Sequence, residues 1–542
     1  MRRARTEPAA AAIALLAGVG QALSQGALAH WTLQGASLVA LCFLVLSGRP
    51  FASPGTGSSG PGLGSEATPG PWAGFVLGGL FGLSSFGIGL SWLHVSMHEV
   101  GGMPFMLSAL AVLLFAGYLA LYPALALACV CWVLRTAPRP GLSGALALAC
   151  AWLLTEVARG AALTGFPWLA VGYGQVDGPL AGLAALVGVH GVSALAVFIA
   201  ALLSLTIAPR RAMRQRMLPL LLALLLMLVA RQAGPHAWVA PEGEPVSVRL
   251  LQGNVPQDLK FDPQRALQAM QDYLAGFEQG QAQLTLLPET AWTVPWSMTP
   301  PELAERALQQ VSRGHALAIG LPRWRPPEGG GAPQPANSVM LLAPEMTPEL
   351  RAGLTPNRAP IYDKHHLVPF GEFIPPGFGW FVQLMQIPLG QFARGAVVQP
   401  PFVLAGQRIA LNICYEDLFG EEIRLAVLNA DASILANVSN LGWFGRTYAL
   451  DQHLAIARLR SLETGRPMLR ATNTGMTALI DAQGRVQALL PPHAPGALDV
   501  SVQGTRGLTP YVRWGHGPWV GGAALVLGLL AWRHRRGAWR HQ

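Results

Sequence analysis

Charge is what this 542-residue chain has least of. Only 12% of it is Asp, Glu, Lys or Arg, while 51% is hydrophobic. Soluble domains carry about 25% charged residues, which excludes a chain wholly dissolved in water. Lysine is scarcer still: of 37 Lys and Arg residues, only Lys260 and Lys364 are lysine. Cysteine is nearly absent. Cys42, Cys129, Cys131 and Cys150 sit in apolar runs, where cysteine acts as a small hydrophobe, and Cys414 stands alone in a polar half. That excludes a disulfide framework, and no spaced His/Cys/carboxylate set offers a zinc site. A P-loop and a dinucleotide fingerprint are also missing, so no metal and no cofactor is expected.

What is present is apolar runs flanked by arginine. The formal charge is +9, but its placement excludes a nucleic-acid groove. Arg2, Arg3 and Arg5, then Arg210, Arg211, Arg214 and Arg216, then Arg533, Arg535, Arg536 and Arg540 each border an apolar run. The runs lie at about 8–24, 32–47, 72–93, 104–134, 143–160, 190–207, 217–232 and 516–533, each near the roughly 20 residues that cross a bilayer. Run 104–134 is long for one helix and is expected to tilt or break near Tyr122-Pro123. Eight spans with both termini cytoplasmic put Arg49, Arg135, Arg139 and the Arg210–Arg216 cluster on the inner side, as the positive-inside bias requires. Ala27-Leu28-Ala29 looks like a signal-cleavage site; retention of the first span is the favoured reading. The Gly/Ser/Pro-rich stretch 48–71 reads as a cytoplasmic loop. The expected layout is a seven-span membrane domain at 1–233, a domain outside the inner face at 234–512, and an eighth span with a basic tail at 513–542.

Residues 234–512 have the composition of an α/β domain. VSVRLLQGNV, LTLLPE, ALAIG, SVMLLAP, RIALNICY and ASILANVS read as strands, and 263–279, 301–312 and 449–464 as helices. Three stretches place reactive groups at strand ends: LTLLPETAW with Glu289, IYDKHHLVPFGEFIPP with Lys364, and RIALNICYEDLFG with Cys414. A cysteine where a strand turns into a helix is expected to have a lowered thiol pKa, since a helix N-terminus and a nearby lysine both favour the thiolate. A neighbouring carboxylate could take the thiol proton. Lysine fits Lys364 better than arginine would, because its ammonium is compact and can exchange a proton.

Glu, Lys and Cys in this order, in these contexts, resemble the nitrilase (carbon–nitrogen hydrolase) superfamily. The stretches QGNVPQDLKFD, PETAWTVPW, DKHHLVPFGEFIP, NICYEDLFG, NVSNLGWFG and LRATNTGMTALID are similar to its membrane-embedded branch, the lipoprotein N-acyltransferases of the bacterial inner membrane. So are GLSWLHVSMHEVGGMP and LTGFPWLAVGYGQVDGP. The resemblance implies an α-β-β-α sandwich on the periplasmic side of a polytopic helical domain. It implies Cys414 as nucleophile, Glu289 as general base and Lys364 as stabiliser of the oxyanion, with Glu372, Tyr415 and Glu416 completing the site. It implies an acyl chain taken from a glycerophospholipid onto Cys414, then passed to the α-amino group of a diacylglyceryl-cysteine at an apolipoprotein N-terminus, by a monomer. Phe261 stands where the branch often has Trp, so an indole hydrogen bond is lost there.

Trp168, Trp443, Trp380 and Phe381 are further candidates for lipid contact. The charge-free stretch 375–392 reads as an arm that dips into the bilayer. Glu156 and Arg159 lie one helical turn apart in the fifth run and read equally as a functional pair or as an i,i+3 ion pair. Two rivals stand beside this reading: a membrane-tethered amidase transferring to water, which the same triad would serve, and, from another class, a transporter with a fused sensor domain. Eight spans exceed what a tether needs, and the ionisable residues keep to the span ends, against a transporter.

Overall fold

The structure is a computed structural model describing residues 8–47, 69–135, 141–208, 212–257, 260, 262–326, 332–346, 359–375, 377, 379 and 391–539. Two compact units emerge: Met1–Gly234 with Trp514–Gln542, and Pro235–Arg513.

In the first unit every apolar run folds as a helix. These are Pro8–Leu23, Trp31–Leu46, Pro71–Gly89, Phe105–Val133, Leu142–Ala161, Ala184–Ile207, Met213–Gln232 and Gly517–Trp539. The third to seventh are long and apolar enough to cross a membrane. The first two have 16 residues each, about 24 Å of rise. Pro8–Leu23 is built into the bundle, where its Leu15 carbonyl accepts from the Ser84 hydroxyl at 3.0 Å.

The break expected near Pro123 does not occur: Phe105–Val133 runs 29 residues straight through it. Its neighbour explains why. Gly74, Gly78 and Gly82 recur every fourth residue along Pro71–Gly89, and a Cβ on Gly78 would lie 2.3 Å from the Pro123 carbonyl oxygen. Bare glycine lets the two backbones touch along the stretch that holds the proline, and such packing tolerates proline inside a span.

Between Leu142–Ala161 and Ala184–Ile207 the chain is irregular, with 3-10 turns at Val171–Gln175 and Ala181–Leu183. Glu156 and Arg159 hold it. The Arg159 guanidinium donates to the carbonyls of Phe166 at 2.7 Å and Trp168 at 2.6 Å. Glu156 accepts from the Val171 N–H at 2.9 Å and the Trp152 indole at 3.3 Å. The two charges are 3.9 Å apart and buried. The pair therefore braces non-helical backbone, which at membrane depth must be satisfied by protein. Trp168, expected to contact lipid, is instead 2% exposed, with its ring 4.8 Å from that of Trp92.

Among the described residues the second unit has twelve strands: β1 Ala240–Gln252, β2 Leu284–Leu286, β3 Ala316–Arg325, β4 Gln334–Leu342, β5 Ile361–Asp363, β6 Phe402–Leu404, β7 Gln407–Ile413, β8 Ile434–Ser439, β9 Met468–Thr472, β10 Ala478–Ile480, β11 Val486–Leu489 and β12 Gly496–Arg506. They form two six-stranded sheets, ordered β12-β1-β2-β3-β4-β5 and β11-β10-β9-β8-β7-β6. Alternate residues of both, such as Val246, Val248, Leu250, Ile409, Leu411, Ile434 and Ala436, form one buried cluster between them. Helices Pro263–Glu278 and Pro301–Ser312 cover the outer face of the first sheet through Leu274, Phe277 and Val311. Gly420–Asn429 and Ala449–Thr464 cover the second through Val427 and Ala457. This is the expected α-β-β-α sandwich, and all six strands expected from sequence are present.

Candidate active site

Three strand ends supply the reactive groups. Glu289 follows β2 and Lys364 follows β5, both in the first sheet; Cys414 follows β7 in the second. Glu289 and Lys364 are 7% and 1% exposed. The Lys364 ammonium donates to Glu372 Oε1 at 3.0 Å and to Glu289 Oε1 at 3.4 Å. Asn337, on β4, donates through Nδ2 to the same two oxygens, at 3.0 Å and 2.7 Å respectively. The second oxygen of Glu289 accepts from the Asn440 N–H at 2.8 Å, and that of Glu372 from the Val368 N–H at 2.9 Å. Both carboxylates are thus held at each oxygen.

The charges follow from these contacts. Burial alone would raise the Glu289 carboxyl, but Lys364, Asn337, Lys260 and the Asn440 N–H outweigh it and hold Glu289 below the ordinary carboxylate range. Burial would lower the Lys364 ammonium, and Glu372 and Glu289 reverse this and raise it. The pair is ionised at neutral pH.

Cys414 opens a five-residue 3-10 turn, Cys414–Leu418, with φ of +53°. That left-handed conformation is uncommon outside glycine and marks a sharply turned residue. Asn437 Nδ2 donates to its carbonyl at 3.3 Å. The thiol departs from the sequence expectation. Burial pushes its pKa well above the usual range, the Glu289 carboxylate adds to the rise, and Lys364 opposes it without reversing it. The expected helix does not begin at the cysteine; Gly420–Asn429 starts six residues later, beyond the 3-10 turn. The resting group is therefore a thiol that needs a base, and Glu289 is the ionised carboxylate whose charge acts on it most strongly.

Glu416 ties the nucleophile turn to the lysine loop. Its Oε1 accepts from the N–H groups of His365 at 2.6 Å and His366 at 3.0 Å. Its Oε2 accepts from the Ile413 N–H at 2.6 Å and the Tyr362 hydroxyl at 2.8 Å. Tyr415 is 8% exposed, its ring 5.2 Å from Phe419 and 5.8 Å from His366. Trp443 is 42% exposed. Phe261, Trp380 and Phe381 lie outside the described residues.

Sequence reasoning missed Asn337 and Asn440, amides with no signature of their own. It missed the buried set under the turn, where Asp417 meets Arg470 at 3.2 Å and His453 at 3.3 Å. It also missed Lys260, whose ammonium donates to the Glu289 carbonyl at 3.2 Å; the rarity of lysine was the available signal.

Residues 247–511 match the family model for carbon-nitrogen hydrolases, so the second unit carries a domain of that type. Residues 17–202 match the model for the N-terminal domain of apolipoprotein N-acyltransferases. The chain is 45% identical to the apolipoprotein N-acyltransferase of Ralstonia nicotianae, over 98% of this chain and 94% of that protein. It is 45% identical to that of Bordetella bronchiseptica, over 85% of this chain and 88% of the other. The chain belongs to the apolipoprotein N-acyltransferase family. Among solved structures it is similar to a nitrilase-superfamily amidase from Nesterenkonia, at 18% identity and TM-score 0.35, covering 52% of this chain and 97% of that one.

Proposed function

We propose that the protein moves a fatty acyl chain from a glycerophospholipid to the N-terminal diacylglyceryl-cysteine of an apolipoprotein, through a thioester on Cys414. The carrying observation is the buried Lys364 ammonium held by Glu289 and Glu372, with Glu289 acting on a thiol that burial keeps protonated. The family names of its relatives supply the reaction class.

In the first half-reaction Glu289 takes the Cys414 proton and the sulfur attacks the ester carbonyl carbon. The carbonyl electron pair moves to oxygen, where the Lys364 ammonium stabilises it. The oxyanion collapses and the ester C–O bond breaks. The departing alkoxide takes the proton from Glu289, giving a lysophospholipid. In the second, Glu289 receives a proton from the attacking α-amine. The C–S bond breaks, the thiol is restored and an amide remains. This is ping-pong covalent catalysis. Glu372 and Asn337 position Lys364 and Glu289, and Glu416 holds the two loops in register.

Both substrates are lipids, and the apolar helices fit a bilayer setting. With arginine clusters inside, the sandwich lies on the periplasmic side and both termini in the cytoplasm. One chain supplies every group above, which suits a monomer. Incubating the full-length protein with phosphatidylethanolamine vesicles should add one acyl mass to the Cys414 peptide, and a diacylglyceryl-cysteinyl peptide should discharge it as an amide. Cys414→Ala should fold and load nothing. Discharge to free fatty acid at the same rate without the peptide would favour the amidase instead.

A further inference from the structure

Among the buried charges that the steps above leave unused is Lys260. Lys260 is 4% exposed. Its ammonium donates a single hydrogen bond, to the Glu289 carbonyl, among the described residues. An ammonium has three donors, so two have no partner among the described residues. A buried ammonium is costly unless an opposite charge answers it. Two groups act on Lys260 with that sign: Glu289 and, when ionised, Cys414. The Glu289 carboxylate is already held at both oxygens by Lys364, Asn337 and the Asn440 N–H.

The local tally points the same way. Glu289 and Glu372 are two negative charges against the one positive charge of Lys364. Without Lys260 the cluster is net negative, and it must then accept further negative charge on sulfur and on the ester oxygen at its edge. With Lys260 it is neutral.

We propose that Lys260 is a second catalytic cation, whose spare N–H groups stabilise the negative charge that forms on the Cys414 sulfur and the ester oxygen during acyl-enzyme formation. The inference rests on the acyl-enzyme reading above. It divides the work between the two lysines. Lys364, held between two carboxylates, donates to the ester oxygen from a fixed position; Lys260 adds the charge that those carboxylates would otherwise cancel. No new bond is made or broken, since the proton still moves from sulfur to Glu289 and on to the leaving oxygen.

A pH signature follows. Burial brings the Lys260 ammonium down to about 8, with Glu289 and Cys414 pulling it up. Lys364 and Glu372 lie beyond Glu289 in the same cluster. The protonated form is the active one, so the acylation rate falls as pH rises through about 8. Neither other candidate titrates there: the Cys414 thiol is pushed well above its usual range and Lys364 is raised.

The test is the initial rate of acyl-enzyme formation by full-length protein in phosphatidylethanolamine nanodiscs, from about pH 6 to pH 10, read by intact mass. Wild type should lose rate above about pH 8, by roughly tenfold per pH unit. Lys260→Arg, always charged, should keep its rate past that point. Lys260→Met should be about a hundred- to a thousand-fold slower at neutral pH, the scale of losing one oxyanion donor, with no alkaline fall. A merely structural lysine would lower the amount of folded protein without moving the profile. A wild type that loads normally and stays flat to about pH 9.5 overturns the proposal, as does a Lys260→Met variant within threefold of it. If Lys260→Met does not fold, the wild-type and Lys260→Arg profiles decide. A wild type that forms no acyl-enzyme overturns the thioester reading itself, and this one with it.

Discussion

A side chain that is 1% exposed between two carboxylates has no room for a larger, planar head. Lys364→Arg keeps the charge but displaces the donor from the oxyanion, because a guanidinium is flat, forked and permanently protonated. We expect it to fold and insert while losing about 3–4 kcal/mol of transition-state stabilisation, roughly a hundred- to a thousand-fold in acylation rate. Rates within a few-fold of wild type would show that any cation at this position suffices. At this scale much of the site was readable. Glu289 and Cys414 each end a strand with a legible apolar pattern, whereas Lys364 follows the three-residue β5 and stood out through the rarity of lysine. The thiol was misjudged because a sequence names neighbours but not their solvation. The lysine beside Cys414 was foreseen, whereas the burial that outweighs it was not. Asn337 lies within a strand that shows no break in pattern at the position where its amide joins two carboxylates.

Elements act through the carboxylates and glycines that join them. Glu416 accepts four hydrogen bonds, from Ile413, Tyr362, His365 and His366. Glu416→Ala leaves those donors without an acceptor, at about 1–3 kcal/mol for each that stays buried. We expect a loss of at least about 3 kcal/mol in unfolding free energy together with most of the activity. A variant with an unchanged thermal midpoint would show that water replaces the carboxylate freely. The glycine stripe makes a second case. Gly78→Leu must push apart the helices Pro71–Gly89 and Phe105–Val133, because the Pro123 carbonyl already occupies the space of a Cβ. The next position, Gly79, has only Ala124 Cβ near it, at 3.9 Å. Gly78→Leu should therefore lower the thermal midpoint in detergent by several degrees, and Gly79→Leu should not. Equal effects would mean that the stripe is incidental. Long elements were legible because their apolar pattern persists. β5, β6 and β10 have three residues each, too few to establish a period. β12 has side chains mostly exposed or half-buried along its length, so its sequence, GALDVSVQGTR, lacks the apolar run that marks the other strands.

For the whole molecule, composition divides the chain much where contacts do. In chain order, apolar helices precede and follow the sandwich formed by Pro235–Arg513. The proline in Phe105–Val133 shows the limit of that reading. Whether a run bends depends on the helix beside it, which run lengths do not record. The sandwich has one more property that follows from where its ends lie. β1 and β12 are antiparallel neighbours, and their outermost pair is Ala240 with Arg506. The chain therefore enters and leaves the unit at the same end of one ladder. A mechanical pull on those two ends would load the ladder as a zipper and not in shear. Its rungs would bear force one at a time, starting at Ala240–Arg506. Low force would suffice to peel β12 away, and the peel would travel inward until it uncovered Val246, Val248 and Leu250.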